Sequence, residues 1–220
     1  MKLYIMLKLT IFLLVMSSPV FADKLVGSEY LAGSNKNALI LAHGRAKYPT
    51  WKVVDPLRKG VHDKLGYHTL SLQMPNDDKE WRQYADDFPD AYEIIKAGIR
   101  YLKEEKGVTK IFLMGHSMGS RMASAFVSDN PDQTLAGLIV VGCRNNGGYP
   151  LSCKENLENV DMPVLDLWGG DNGKDSDAAS NRQEFVSENY TQVEISGANH
   201  KLDDYDRAFI AAVVNWLKTQ

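Results

Sequence analysis

The chain reads as a single α/β domain, a mostly parallel sheet with helices on both faces. Three observations lead there. Short apolar runs bounded by turn residues alternate with longer segments of helical period. The runs between Leu39 and Trp168 are apolar throughout rather than alternating, which is the pattern of strands covered on both sides. The chain has 220 residues, and 23–220 suit one sizeable core while leaving little for a second domain.

Residues 1–22 are set apart from the fold. Lys2 and Lys8 precede the apolar run Leu9 to Met16, and Val20-Phe21-Ala22 is a small-x-small ending. This reads as a secretory signal cleaved after Ala22. The run is short of the roughly 20 apolar residues a spanning helix needs, so no stable membrane insertion is expected after cleavage. The expected location is the periplasm or outside the cell.

The elements follow in order. Ala38-Leu39-Ile40-Leu41-Ala42 is an expected buried strand, and Trp51 to Leu65 an expected helix stopped by Gly66. Next come an expected strand His68 to Leu72, a helix Ala91 to Lys106 stopped by Gly107, and a strand Lys110 to Met114. A helix after Ser117, a strand Leu138 to Val141 and a strand Pro163 to Trp168 continue the alternation. A helix near Ala178 to Glu188, a strand Gln192 to Ile195 and a helix Asp204 to Leu217 close it. The last helix puts Ala208, Phe209, Ala212, Val213, Trp216 and Leu217 on one stripe that should face the sheet. Asp166 breaks the apolar pattern in mid-strand, where a carboxylate needs a partner that the sequence does not name.

Composition narrows the function. The net charge is −3 and no basic run stands out, which argues against nucleic acid or anionic membrane surfaces as partners. Cys143 and Cys153 share one loop region. In an oxidising compartment a disulfide between them is expected, worth about 2–3 kcal/mol for so short a loop; the other reading is two free thiols.

The stretch Ile111 to Arg121, IFLMGHSMGSR, carries the chemistry. A strand that turns abruptly into a helix strains the apex residue and brings the two chain directions very close, so the positions two before and two after it must lack a side chain. Gly115 and Gly119 meet that need around Ser117. The apex side chain then projects above the sheet edge beside a helix N-terminus, where a nucleophile belongs.

Ala42-His43-Gly44-Arg45, Gly115-His116-Ser117-Met118-Gly119 and Gly197-Ala198-Asn199-His200 together resemble the α/β-hydrolase family, in its small, lidless bacterial form. The resemblance runs through nearly all of 23–220 in element order. It implies a Ser-His-acid triad in that chain order. Serine needs a base, and His200 follows the last strand where the base is expected. His62 and His68 read as structural, while His43 and His116 flank motifs and are expected to orient loops.

The acid is sought in WGGDNGKDSD, where Asp171 comes first beyond the strand. The family places its acid three residues after the first glycine, a slot that Asn172 holds here, so Asp175 and Asp177 stay open. The Asp and Asn spacing does not fit a calcium loop, and the triad chemistry calls for no cofactor and no metal. The backbone N–H of Met118 is the first oxyanion donor, and by resemblance that of Arg45 is the second.

The connection from 142 to 162 has room for one short helix and no cap domain. An open site rimmed by Arg45, Arg144, Tyr48 and Trp168 favours water-accessible carboxylic esters or thioesters. The expected function is a secreted or periplasmic serine hydrolase acting on a small-molecule ester. The second reading, motivated by the irregular acid stretch, is a catalytically silent domain that binds a ligand or envelope component in the inherited cleft.

Overall fold

A computed structural model describes residues 23–132 and 134–220, so the expected signal segment lies outside the described residues. The strands are β1 (Glu29–Leu31), β2 (Asn37–Ala42), β3 (His68–Leu72), β4 (Lys110–His116), β5 (Gly137–Val141), β6 (Val164–Gly169) and β7 (Tyr190–Ile195). The helices are α1 (Val54–Leu65), α2 (Phe88–Arg100), α3 (Met118–Asp129), α4 (Cys153–Leu157), α5 (Gly173–Ser180) and α6 (Asp206–Thr219). They build one seven-stranded sheet in the order β1-β3-β2-β4-β5-β6-β7. Every neighbouring pair is parallel except β1 with β3.

The strands alternate which residues face each helical layer. Leu39, Leu41, Phe112, Met114, Ile139 and Leu165 pack against Leu57 and Val61 of α1 and Phe209, Val213 and Trp216 of α6. Ile40, Leu70, Leu113, Leu138 and Val140 face Ala91, Ile95 and Ile99 of α2 and Met122 and Phe126 of α3. Both faces are dry, which is why the strand sequences show no polar alternation.

Most element ends fall within a few residues of expectation. Gly66 caps α1 in the left-handed conformation at φ 68°. α2 starts earlier than the sequence pattern indicates, with a 3-10 segment Trp81–Asp87 leading into it, and its far end loosens into a π-helical turn, Tyr101–Glu105. β1 was not anticipated, since three half-exposed residues carry no readable period. On α6, Phe209, Val213, Trp216 and Leu217 are buried as expected and Val214 joins them, but Ala208 is exposed. α5 is the main departure. It begins at Gly173 because the Asn172 side chain accepts from the Asp175 N–H, a cap that the polar, glycine-containing stretch conceals.

The buried carboxylate of β6 has its partner. Arg182, itself 1% exposed, grips both oxygens of Asp166 through Nη2 (2.7 Å) and Nε (3.0 Å). The hydroxyl of Tyr190 (3.0 Å) and Nε2 of Gln192 (3.1 Å) also donate to Asp166. The remaining guanidinium N–H groups reach out of the core, to the Cys143 carbonyl at 2.9 Å and the Asn145 side-chain oxygen at 2.6 Å. Cys143 is also bonded to Cys153, the first residue of α4. The loop after β5 is thus held from below by an ion pair and from the side by a disulfide.

Removing one partner from a buried ion pair leaves an uncompensated charge. Arg182→Leu is therefore expected to destabilise the fold by about 3–5 kcal/mol. The double variant Asp166→Leu/Arg182→Leu should recover part of that loss. Urea unfolding at neutral pH measures both.

Candidate active site

The segments that follow β2, β3, β4, β5 and β7 converge on one cavity of about 440 Å³. Ser117 stands between β4 and α3 with φ 55° and ψ −114°, in a region that a residue bearing a Cβ rarely occupies. The two glycines around it have no room for a side chain. A Cβ at Gly115 would meet the Gly119 oxygen at 2.3 Å, and one at Gly119 would meet the Ala42 oxygen at 2.3 Å. The strain is held by hydrogen bonds on both sides: the Ser117 N–H donates to Val141 O at 2.8 Å, and Ser120 Oγ donates to Ser117 O at 2.6 Å.

His200 lies against this serine. Its Nε2 is 3.0 Å from Ser117 Oγ, and its Nδ1 is 2.5 Å from Asp175 Oδ2. A carboxylate accepting from Nδ1–H leaves Nε2 free to accept the hydroxyl proton. The structure thus pairs His200 with Asp175, and Asp171 is corrected. Asp171 precedes the Asn172 cap and its side chain is exposed, as is that of Asp177, whereas Asp175 sits in the first turn of α5, 1% exposed and facing inward. The missed signal was the cap itself, an Asn followed three residues on by an acid and then by Ala178 and Ala179.

Asp175 is doubly held, since Arg144 Nε donates to its other oxygen at 2.7 Å. Burial pushes this carboxyl up, but the hydrogen bonds and charges of His200 and Arg144 outweigh it and hold it below the usual range. Beneath the imidazole, Gly142 has φ 59°, and a Cβ there would lie 2.9 Å from His200 Cε1.

The two motif histidines do orient loops. His116 Nε2 donates to the backbone oxygen of His200 at 3.0 Å, tying the His200 loop to the serine strand. Burial, then the nearby His200, pushes His116 down to about 3, so it is neutral at physiological pH. His43 Nε2 accepts the Met74 N–H at 3.1 Å, which assigns the proton to Nδ1, and Nδ1 donates to Gly44 O at 2.9 Å. The Gly44–Arg45 peptide is thereby fixed. The Arg45 and Met118 amides both belong to cavity-lining residues, and neither N–H meets a backbone acceptor among the described residues. His62 and His68 lie elsewhere, and His68 joins β1 to β3 through Tyr30 Oη at 2.6 Å.

On the cavity rim Arg45 and Arg144 appear as expected. Trp51 and Trp81 occupy the aromatic places expected of Tyr48 and Trp168, and Lys47, Arg121 and Lys201 join them. No sequence signal marked these. The connection after β5 holds the five-residue α4 and no cap domain.

The family described as "Protein of unknown function (DUF3530)" matches residues 80–219. The chain belongs to this family. No curated protein matches it by sequence. Among solved structures, this DUF3530 protein is similar to Est1E from Butyrivibrio proteoclasticus, at 16% identity and TM-score 0.69 over 87% of this chain and 92% of that one. It is similar to dienelactone hydrolase from Anabaena variabilis, at 16% identity and TM-score 0.72 over 87% and 90%. A Xanthomonas campestris α/β serine hydrolase without lid matches at 13% identity and TM-score 0.62, over 87% and 88%. The DUF3530 chain has the α/β-hydrolase fold. No helix among the described residues is long and apolar enough to cross a membrane, and no group of three or more His, Cys, Asp or Glu among them is placed to hold a metal ion.

Acid should weaken this fold. His116 carries a proton below pH 6.5 when unfolded but only below about 3 when folded, so its contribution is fully present above 6.5 and lost as pH falls through that window. The lowered Asp175 acts in the same direction at still lower pH, its contribution being lost as pH falls through its folded value. The unfolding free energy from urea titration should therefore be lower at pH 4.5 than at pH 7. His116→Phe should shrink that difference by about 2–3 kcal/mol, although the variant is weaker at both pH values.

Proposed function

We propose that this protein is a serine hydrolase that cleaves carboxylic esters, thioesters included, through an acyl-enzyme. The observation that carries the reading is the continuous line of hydrogen bonds Ser117–His200–Asp175, beside two amides that lack backbone acceptors among the described residues. Ser117 Oγ attacks the acyl carbon while His200 Nε2 takes its proton. Asp175 holds the imidazole tautomer and stabilises the imidazolium. The N–H groups of Met118 and Arg45 receive the developing oxyanion in a geometry already fixed by α3 and by His43. His200 returns the proton to the leaving alcohol, and a water activated by the same imidazole then releases the acid. We place the protein in the periplasm or outside the cell, a reading supported by the leader-like residues 1–22 and by the disulfide.

The silent-domain reading was motivated by the missing acid at Asn172, and Asp175 supplies that carboxylate. A fluorophosphonate probe separates the two: it is expected to label Ser117 stoichiometrically and to leave Ser117→Ala unlabelled. Failure of the folded wild type to react would return the silent domain to first place.

The choice of acid is tested separately on a small chromogenic ester. Asp175→Asn should lower kcat by about 10⁴-fold, as loss of the tautomer-setting carboxylate does. Asp171→Asn should stay within about twofold, as surface changes do. Gly142→Ala forces a methyl group into His200 and should lower kcat while leaving the fold intact.

A further inference from the structure

The cavity carries a charge that the proposed chemistry does not use. Its lining includes Arg45, Lys47, Arg121, Arg144 and Lys201 against one acidic residue, Asp78. The chain as a whole is net negative at −3, so this concentration of cations is local to the cleft. Of the five, Arg144 alone forms an ion pair among the described residues, with Asp175, and that carboxylate is already shared with His200.

Arg121 is the telling member. It lies one turn along α3 from Ser117, its N–H reaching Ser117 O at 3.3 Å, and its side chain is folded in so that the residue is 6% exposed. Its guanidinium donates only to neutral oxygens: Nη1 to Asn146 O (2.7 Å) and Leu151 O (2.6 Å), and Nη2 to the Asn146 side chain (2.7 Å). Three of five N–H groups are used; Nε–H and one Nη2–H meet no partner among the described residues. Trp81 lies against the same guanidinium at 5.1 Å. Burial, then the like charge of Arg144, pushes Arg121 down to about 10. A buried cation that forms no ion pair of its own is costly; the charge of Asp175 offsets only part of this, and the like charge of Arg144 adds to it. An anion bound between the two guanidinium groups relieves both.

We propose that the substrate is an ester that carries a free carboxylate, bound by the unused N–H groups of Arg121 together with Arg144. A guanidinium edge with adjacent N–H groups suits a planar carboxylate held by two bonds. Arg45, Lys47 and Lys201 at the mouth raise the local concentration of such an anion. The inference rests on the esterase reading above and names its substrate class.

The test compares charge-matched pairs: 4-nitrophenyl hemiadipate with its methyl ester for a carboxylate on the acyl side, and 4-carboxyphenyl acetate with its methyl ester for one on the alcohol side. The readout is the ratio of kcat/KM, anionic over neutral, corrected for uncatalysed hydrolysis, so that general damage to the enzyme cancels. Wild type is expected to prefer the anion at least tenfold in one pair at low salt, with the preference shrinking as salt rises. Arg121→Gln should bring that ratio close to one. Should Arg121→Gln fail to fold, the exposed pair Arg45→Gln/Lys201→Gln decides, by a lower ratio and a flatter salt dependence. A wild-type ratio at or below one in both pairs, with neutral esters cleaved and Ser117 labelled, overturns this inference alone, as does a full ratio in folded Arg121→Gln. No ester cleaved and no label on Ser117 overturns the esterase reading and this inference with it.

Discussion

The contact on which the site depends is the passage of β2, β4 and α3 past one another with no side chain between them. At Gly115 and Gly119 even a methyl carbon would lie 2.3 Å from a backbone oxygen. That closeness forces the connecting residue into positive φ, and the forced residue is Ser117. A serine in ordinary helical or extended geometry would turn its hydroxyl along the chain. Here the strain lifts it out of the sheet edge, and the surrounding hydrogen bonds to Val141 and Ser120 keep it there. The same turn leaves the first amides of α3 unspent, so the position of the hydroxyl and the availability of donors beside it have one cause.

From this point the geometry is relayed through buried polar contacts. Arg182 neutralises Asp166 in the core and, with its spare N–H groups, fixes the backbone at Cys143 and the side chain of Asn145. Between those two residues stands Arg144, which holds Asp175, which holds His200. The carboxylate that looked anomalous in mid-strand is thus the foundation of the loop that orients the imidazole. A second line runs through His116, whose neutral ring joins the strand before the serine to the carbonyl of His200. Neutrality matters, because a charged imidazolium in that buried place would repel the protonated state of its neighbour.

Expectation and structure agree where the signal was local. The strand before the motif and the helix after it, the glycine stop of α1 and the placing of His200 after the last strand follow from period and turn chemistry within a few residues. The aspartate that meets His200 was misjudged for the same kind of reason. Distance from the strand end favoured Asp171, but the cap at Asn172 starts a helix at once, and the helix, not the loop, aims the side chain. Of the cationic wall of the cleft only Arg45 and Arg144 were foreseen, because Arg45, Arg121, Arg144 and Lys201 come from four separate connections and elements.

By itself, the sequence determined the layered architecture, the strained turn at Ser117 and the position of His200 just after the last strand, since each depends on residues close together along the chain. Tertiary structure alone decided which of three nearby aspartates meets the imidazole, what neutralises Asp166, and that a net-negative chain adds Lys47, Arg121 and Lys201, none in an ion pair among the described residues, to the cleft beside its serine. Those outcomes depend on which surfaces face each other once the sheet has twisted, and neither spacing nor composition encodes that.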